Sequence, residues 1–249
     1  MKNKKDKIWS GFFTNLLGVI LGILLTFGGN ALWQKHEENQ RTKEMLILVR
    51  NELKENKDWF KRHEKIIKKD KYVYQQIVKT DGQFANIHID TLTVYFNQLI
   101  SWEDYILTTS AWQIFQNSEM IQKMTDKELV IRITECYSLI DKVMETIMTE
   151  YWDKKKKLNT FDLNPYQFFD NVEQNKESVY FIKIMSLDMD NNAFWLMFPL
   201  IDAFIDYTIM LLDKHGDYRY DMDERDEEMD LFIKARIDSL HQKNDTIIK

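Results

Sequence analysis

From Ile8 to Trp33 the chain runs for 26 positions without an Asp, Glu, Lys or Arg. A helix of that length rises about 39 Å, enough to cross a hydrocarbon core of about 30 Å with some tilt. Trp9 and Trp33 stand near its two ends, where indole rings favour the headgroup level. The pattern predicts a retained transmembrane helix over 8–33. Gly29-Asn30-Ala31 offers a small-residue cleavage site, but the apolar region of a secretory leader is shorter, about 7–15 residues.

The next pattern is helical. Gln34 to Thr80 holds neither glycine nor proline, and Leu46, Val49, Leu53, Phe60, Ile67, Tyr74 and Ile77 recur at spacings built from threes and fours. The span is therefore expected to continue, straight or bent, into a long juxtamembrane helix. Asn56, His63 and Asp70 interrupt the apolar stripe every seven residues, which suits packing in a bundle better than an isolated coiled coil. Gly82, within Thr80–Gln83, marks the stop.

Further apolar patterns predict helices over about Asp90–Trp102, with Leu92, Tyr95, Phe96 and Leu99, and roughly Glu103–Gln116, with Ile106, Trp112, Ile114 and Phe115. Thr125-Asp-Lys-Glu128 fits a capping box. Leu129, Ile133, Cys136, Ile140, Val143 and Ile147 follow at alternating fours and threes, flanked by Val130, Tyr137, Met144 and Tyr151 at sevens. Lys154–Lys157 close this helix, where cations suit a carboxyl end. Asn159–Pro165 predicts a loop, and Ser178–Met185 fits helix or strand.

Ala193–Lys214 is apolar enough to raise a second span. Asp202, Asp206 and Asp213 mark one polar edge of it, and each central aspartate adds about 2.5–3.5 kcal/mol to insertion. An amphipathic core helix is expected instead, with Pro199 as a kink or first-turn residue and Gly216 as C-cap. A last helix starts in the acidic Asp221–Asp230 and carries Met229, Phe232, Ile233, Ile237 and Leu240. The chain thus reads as all-α: a basic N-terminal stub (1–7), a transmembrane helix (8–33), and a helical soluble domain (34–249) in which the long juxtamembrane helix joins a bundle.

Five of the seven glycines fall between Gly11 and Gly29. On a helix, Gly11, Asn15, Gly18, Gly22, Thr26 and Gly29 share one face. In lipid the hydrophobic effect does not drive helices together, so close backbone approach and interhelical hydrogen bonds matter most. The small residues permit the first, Asn15 supplies the second, and Gly18–Gly22 is a GxxxG match. The expected partners are the lipid bilayer and either a second copy, giving a homo-oligomer, or another membrane protein.

Charge adds an exclusion. Residues 1–34 hold four lysines and one aspartate, leaving 30 cations against 39 anions, a formal −9, in the remainder. That balance argues against DNA binding through a broadly basic face. The aromatic-rich remainder is long enough for one well-buried helical domain. Cys136 is the only cysteine, which excludes an intrachain disulfide. Four lysines precede the span, and Lys35, Arg41 and Lys43 follow it. The lysine-dense tail places the N-terminus on the cytoplasmic side and the acidic domain outside.

Catalytic signatures are sparse. The chain has no Walker loop, GxGxxG, HExxH, CxxC or GxSxG. Asp188–Asn192 imitates the start of a calcium loop, but Ala193 stands where the turn glycine belongs and Pro199 where the bidentate Glu belongs. Asp217–Asp230 reads as a solvated acidic face. His36, His63, His88 and His215 have no metal-ligand spacing. No metal and no cofactor is expected.

Arg236 and His241 have the R-x4-H spacing of HEPN ribonucleases. In those helical domains a dimer pairs two motifs, the arginine stabilising phosphate charge and the histidine moving a proton. With its single N-terminal membrane helix, the chain also resembles CRISPR-associated accessory proteins that carry divergent HEPN domains. Ile237 departs from the polar residue usual after the arginine, so the pair reads first as the exposed end of a surface helix. RNA is a partner only under the alternative, a HEPN-like or pore-forming anti-phage defence effector.

The layout of "LLGVILGILLTFGGNALWQKHEENQRTKEMLILVRNELKENK", Leu16–Lys57, with "TTSAWQIFQNSEMIQKMTDKELVIRITECY", Thr108–Tyr137, resembles a family of uncharacterised single-pass bacterial membrane proteins, a domain of unknown function. Its members share a basic stub, a glycine-bearing span and a long juxtamembrane helix. The resemblance covers roughly residues 8–150. It implies this architecture only and assigns no activity; the expected location is the bacterial inner (plasma) membrane. The expected function is a non-enzymatic, membrane-anchored scaffold or interaction protein.

Overall fold

The computed structural model describes residues 3–80, 84, 87–101, 107–158, 172–214 and 230–235. Among these the regular structure is helical and contains no strand. Helix α1, Asn3–Lys79, is unbroken over 77 residues, a length of about 115 Å. Its composition explains the continuity: no proline lies within it, and good helix formers dominate beyond the glycines. Every described side chain from 16 to 41 is exposed, and the first buried one is Leu46. From there α1 is the central post of a bundle.

Around the post stand α2 (Ile89–Ile100), α3 (Ser110–Gln116), α4 (Glu119–Lys123), α5 (Lys127–Val143), α6 (Thr149–Leu158), α7 (Val172–Met189) and α8 (Asn192–Asp213). Helices α2, α3, α7 and α8 pack on α1, while α5 packs on α8 and α6 on α2. Leu46, Val49, Leu53, Phe60, Ile67, Tyr74 and Ile77 are all buried on the post, as their spacing predicts. Ser178–Met185 resolves as part of helix α7.

Three details differ from the sequence reading. Leu107–Thr109 are not helical, so the third helix starts at Ser110. The N-cap of α5 is Asp126, whose carboxylate accepts from the Leu129 N–H at 2.9 Å, and not Thr125. Glu128 reaches forward to Arg132 at 3.1 Å and not back to the cap. Both Thr and Asp are good caps, and the shift by one residue leaves Leu129 in the core.

The third detail is a π-helical turn, Met144–Met148, between α5 and α6. Its wider turn advances the buried stripe by one residue. Met148 is therefore fully buried, while Ile147 only packs partly against the core. The rotated stripe brings Tyr151, Trp152 and Lys155 onto the post.

Among the described residues, two helices are long and apolar enough to cross a membrane, the N-terminal part of α1 and α8. Their surroundings differ: no residue in the apolar window of α1 is buried, whereas half of that in α8 is. The aspartates of α8 face α1. Asp202 lies 3.5 Å from Lys57 and 3.3 Å from Lys61, Asp206 pairs with Lys57, and Asp213 accepts from Arg50 at 3.0 Å. Pro199 is an interior residue of α8, the eighth, and not a first-turn residue. Gly82, Gly216, the loop at 159–165, the acidic run at 217–229, and Ile237 and Leu240 lie outside the described residues. Residues 230–235 are helical, and Phe232 packs against Tyr207 at 5.8 Å.

Continuity between the exposed apolar stretch of α1 and the post is testable by spin labelling. Labels on Lys35→Cys and Asn51→Cys should give one narrow distance near 24 Å, set by about 1.5 Å of rise per residue. A broad or bimodal distribution would mean that the helix hinges between them.

Candidate functional site

Of the small-residue face, Gly18, Gly22, Thr26 and Gly29 lie on the exposed part of α1. A Cβ built at Gly18, Gly22 or Gly29 would meet no atom within 4 Å. Helical geometry puts these four on one side of α1, within about one quarter of the circumference. The Thr26 hydroxyl donates to the Gly22 carbonyl at 2.7 Å, so it is satisfied inside its own helix. Leu17, Val19, Leu21, Ile23, Leu25 and Phe27 surround the face, each at least half exposed. Gly11 and Asn15 sit in the part of α1 described by its backbone alone. Arg236 and His241 lie outside the described residues.

A second constellation is buried in the bundle, on one side of the post. Asp70 is 0% exposed and accepts from Gln98 of α2 at 2.6 Å, from the Lys155 ammonium of α6 at 2.6 Å, and from the Tyr151 hydroxyl. Lys155 is 1% exposed, and its ammonium stands 5.5 Å from the Trp152 ring centre. Eighteen residues lower on α1, Glu52 accepts from the backbone N–H groups of Ala111 and Trp112 at 2.7 and 3.2 Å, and from the Tyr137 hydroxyl at 2.6 Å. The side chain of Thr109 does not cap α3. The post supplies that cap from outside the helix. Asn56 completes the junction, donating to the Thr108 carbonyl at 2.8 Å and accepting from its N–H at 3.1 Å.

Between these levels lies an aromatic layer. His63 stacks on Trp59 at 3.6 Å and meets Trp152 edge-on at 5.9 Å. Its Nδ1 sits 2.9 Å from the Trp59 carbonyl. A carbonyl can only accept, so Nδ1 carries the proton. Trp112 and Tyr137 stack at 5.1 Å with their planes 7° apart.

Burial holds protons on this layer. The Tyr137 phenol is pushed well above its ordinary value, first by burial and then by its bond to Glu52. Tyr151 is raised by burial, by Tyr74 and by Asp70. Tyr74 is raised by burial and by Asp70. It lies beside Tyr151, yet its hydroxyl finds no hydrogen bond of acceptable geometry. Burial lifts the Cys136 thiol to about 12, against a small opposing contribution from Thr208.

The carboxylates of this constellation are engaged with backbone, phenol, amide and ammonium groups, the arrangement of a structural seam. Sequence reasoning found Asn56, His63 and Asp70 as a heptad of polar interruptions and set Tyr137 and Tyr151 on the flank of a helix without their hydrogen bonds; it missed Glu52 and Lys155. The signal for Lys155 was its place in the helical stripe with Tyr151 and Met148, hidden by the extra residue of the π turn. No group of three or more potential metal ligands occurs among the described residues. Asp188 and Asp190 pair separately with Lys154 at 2.7 Å and Lys71 at 2.9 Å. Comparison with protein-family models, with curated proteins and with solved structures finds no match to the chain.

The raised pKa values set an alkaline limit. Below pH 9 the thiol and phenols are protonated in both folded and unfolded chains, so they add no pH dependence. As pH rises past 9.0 and then 10.0, the ordinary values for Cys and Tyr, the unfolded chain ionises while the folded one keeps its protons. Stability is then lost. Urea unfolding of the full chain in micelles should give constant stability from pH 7 to 9 and a steep loss above 10, shallower in Tyr137→Phe. A flat profile to pH 11 would contradict the burial of these groups.

Proposed function

We propose that this protein is a membrane-anchored helical scaffold or interaction protein, self-associating through the small-residue face of its N-terminal span. The observation that carries the reading is the exposed stretch of α1 from 16 to 33. It is apolar on all sides and open around Gly18, Gly22 and Gly29, and it is one helix with the post of a well-packed bundle. Exposed apolar surface on that scale supports a lipid environment. Within lipid, a face without bulky side chains is where another helix approaches.

The span is a single one in this reading. Salt bridges and apolar contacts within the bundle already engage α8. The resemblance to single-pass bacterial membrane proteins points to the same layout in the inner membrane. In this reading the lysine-rich stub, with four cations against three after the span, favours the N-terminus in the cytoplasm and the bundle outside it.

Substituting Gly18→Leu together with Gly22→Leu should reduce crosslinked assemblies in native membranes to monomer, while the protein remains membrane-bound. Arg236→Ala with His241→Ala should leave those assemblies unchanged. Assemblies that survive the leucine pair intact would reduce the span to a tether. A reporter fused after Lys249 should work only in its extracytoplasmic form; activity of a cytoplasmic reporter would reverse the orientation.

A further inference from the structure

The chain descends the post before it climbs. Thr108 is bonded to Asn56, Ala111 and Trp112 to Glu52, and the Lys123 ammonium to Glu38 at 2.9 Å. These contacts step down α1 by 18 residues, about 27 Å, toward the N-terminal span. Helix α5 then returns upward, meeting Glu52 again through Tyr137. The turning point is the corner formed by α4 and the start of α5. It is closed by Lys127, whose ammonium donates to the carbonyls of Ile121 at 3.3 Å and Gln122 at 2.8 Å.

Glu38 lies only five residues past Trp33 on a helix with no break, an axial rise of about 7.5 Å. The headgroup layer on each side of a bilayer is about 5–7 Å deep. With the tilt that fits a span of about 39 Å into a core of about 30 Å, this rise is about 6 Å along the bilayer normal, so a corner tied to Glu38 stands in the outer part of the headgroup layer, and tilt of α1 toward it brings it deeper. Met120 and Ile121 are half-buried there, and Gln122 is exposed. Lys123 is shared between Glu38 and Glu119, the latter at 3.4 Å, and within Glu119–Lys123 the single anion and the single cation cancel.

We propose that the α4 corner, Glu119–Lys123, is a lipid-contact surface: it sits in the phospholipid headgroup layer and seats the bundle on the bilayer. The inference rests on the membrane-spanning reading of α1 and adds a second contact to it. Because the corner is charge-balanced, zwitterionic phosphatidylcholine suffices and the contact does not depend on anionic lipid. The bundle is then supported at two points, the span and the corner, which fixes the side on which a neighbouring copy approaches.

The test uses the full chain in phosphatidylcholine vesicles, with a fluorophore on Gln122→Cys, on Leu25→Cys within the span, or on Lys65→Cys, which lies about 48 Å past Trp33 along α1. Cys136 is buried and remains unlabelled. Headgroup nitroxide lipid should quench most of the Gln122 signal and mid-chain nitroxide little of it. The Leu25 label should show the reverse, and the Lys65 label neither. Glu38→Lys, which turns a like charge toward Lys123, should weaken the Gln122 quenching while leaving Leu25 unchanged. If the Gln122 label behaves like Lys65 while Leu25 is quenched, the corner stands clear of the membrane and this inference fails alone. If Leu25 also escapes quenching, the spanning reading fails with it.

Discussion

A carboxylate and an ammonium buried together, Asp70 on α1 and Lys155 on α6, set the geometry from which the rest of the bundle follows. Taking both charges out of water costs several kcal/mol each, and their attraction offsets this only when the remaining lone pairs are also satisfied. Here they are, through Gln98 and Tyr151. Such a pair adds little net stability over well-packed apolar residues, but it strongly penalises any arrangement that separates the partners. Its effect is therefore on register. The same separation of 85 residues recurs at Glu38–Lys123, Glu52–Tyr137 and Asp70–Lys155. The post and the α5–α6 column run parallel and locked along their shared length.

This lock gives the long helix its mechanical meaning. The residues that hold α2, α3, α5 and α6 lie on the same unbroken helix as the exposed apolar stretch. Between them, Gln34 to Met45 is a polar helical stalk carrying pairs such as Glu37–Arg41. An unbroken helix transmits rotation and translation of its exposed apolar stretch to Glu52 and Asp70 without a flexible joint. Any association set by the small-residue face would then be imposed on the orientation of the bundles.

Much of this was legible in the sequence. Apolar spacing on α1 and α5 located the core, and the glycine-free run from 34 to 80 announced the long helix. Asp202, Asp206 and Asp213 marked the edge by which α8 meets Lys57, Lys61 and Arg50. The seam was only half legible. The polar heptad on the post showed in the spacing, but the partners of Asn56 and Asp70 are 28 to 85 residues away in the chain, and no local pattern announces them. Lys155 was hidden by its company, since a run of four lysines at a helix end suggests solvent and dipole and gives no sign of burial. The π turn was equally invisible, because it shows only as a shift from Ile147 to Met148 in the buried stripe. As for the small-residue face, its pattern is plain in the sequence; the structure adds that the space around Gly18, Gly22 and Gly29 is open.

A double-mutant cycle on Asp70 and Lys155 tests the register lock most directly, with stability of the full chain measured by urea unfolding in micelles. Asp70→Leu and Lys155→Leu should each cost about 3–5 kcal/mol, by leaving one charge buried without its partner. The double variant should cost less than either alone. Losses that simply add would show that the two side chains do not act as a pair, and the account of the bundle built on them would be wrong.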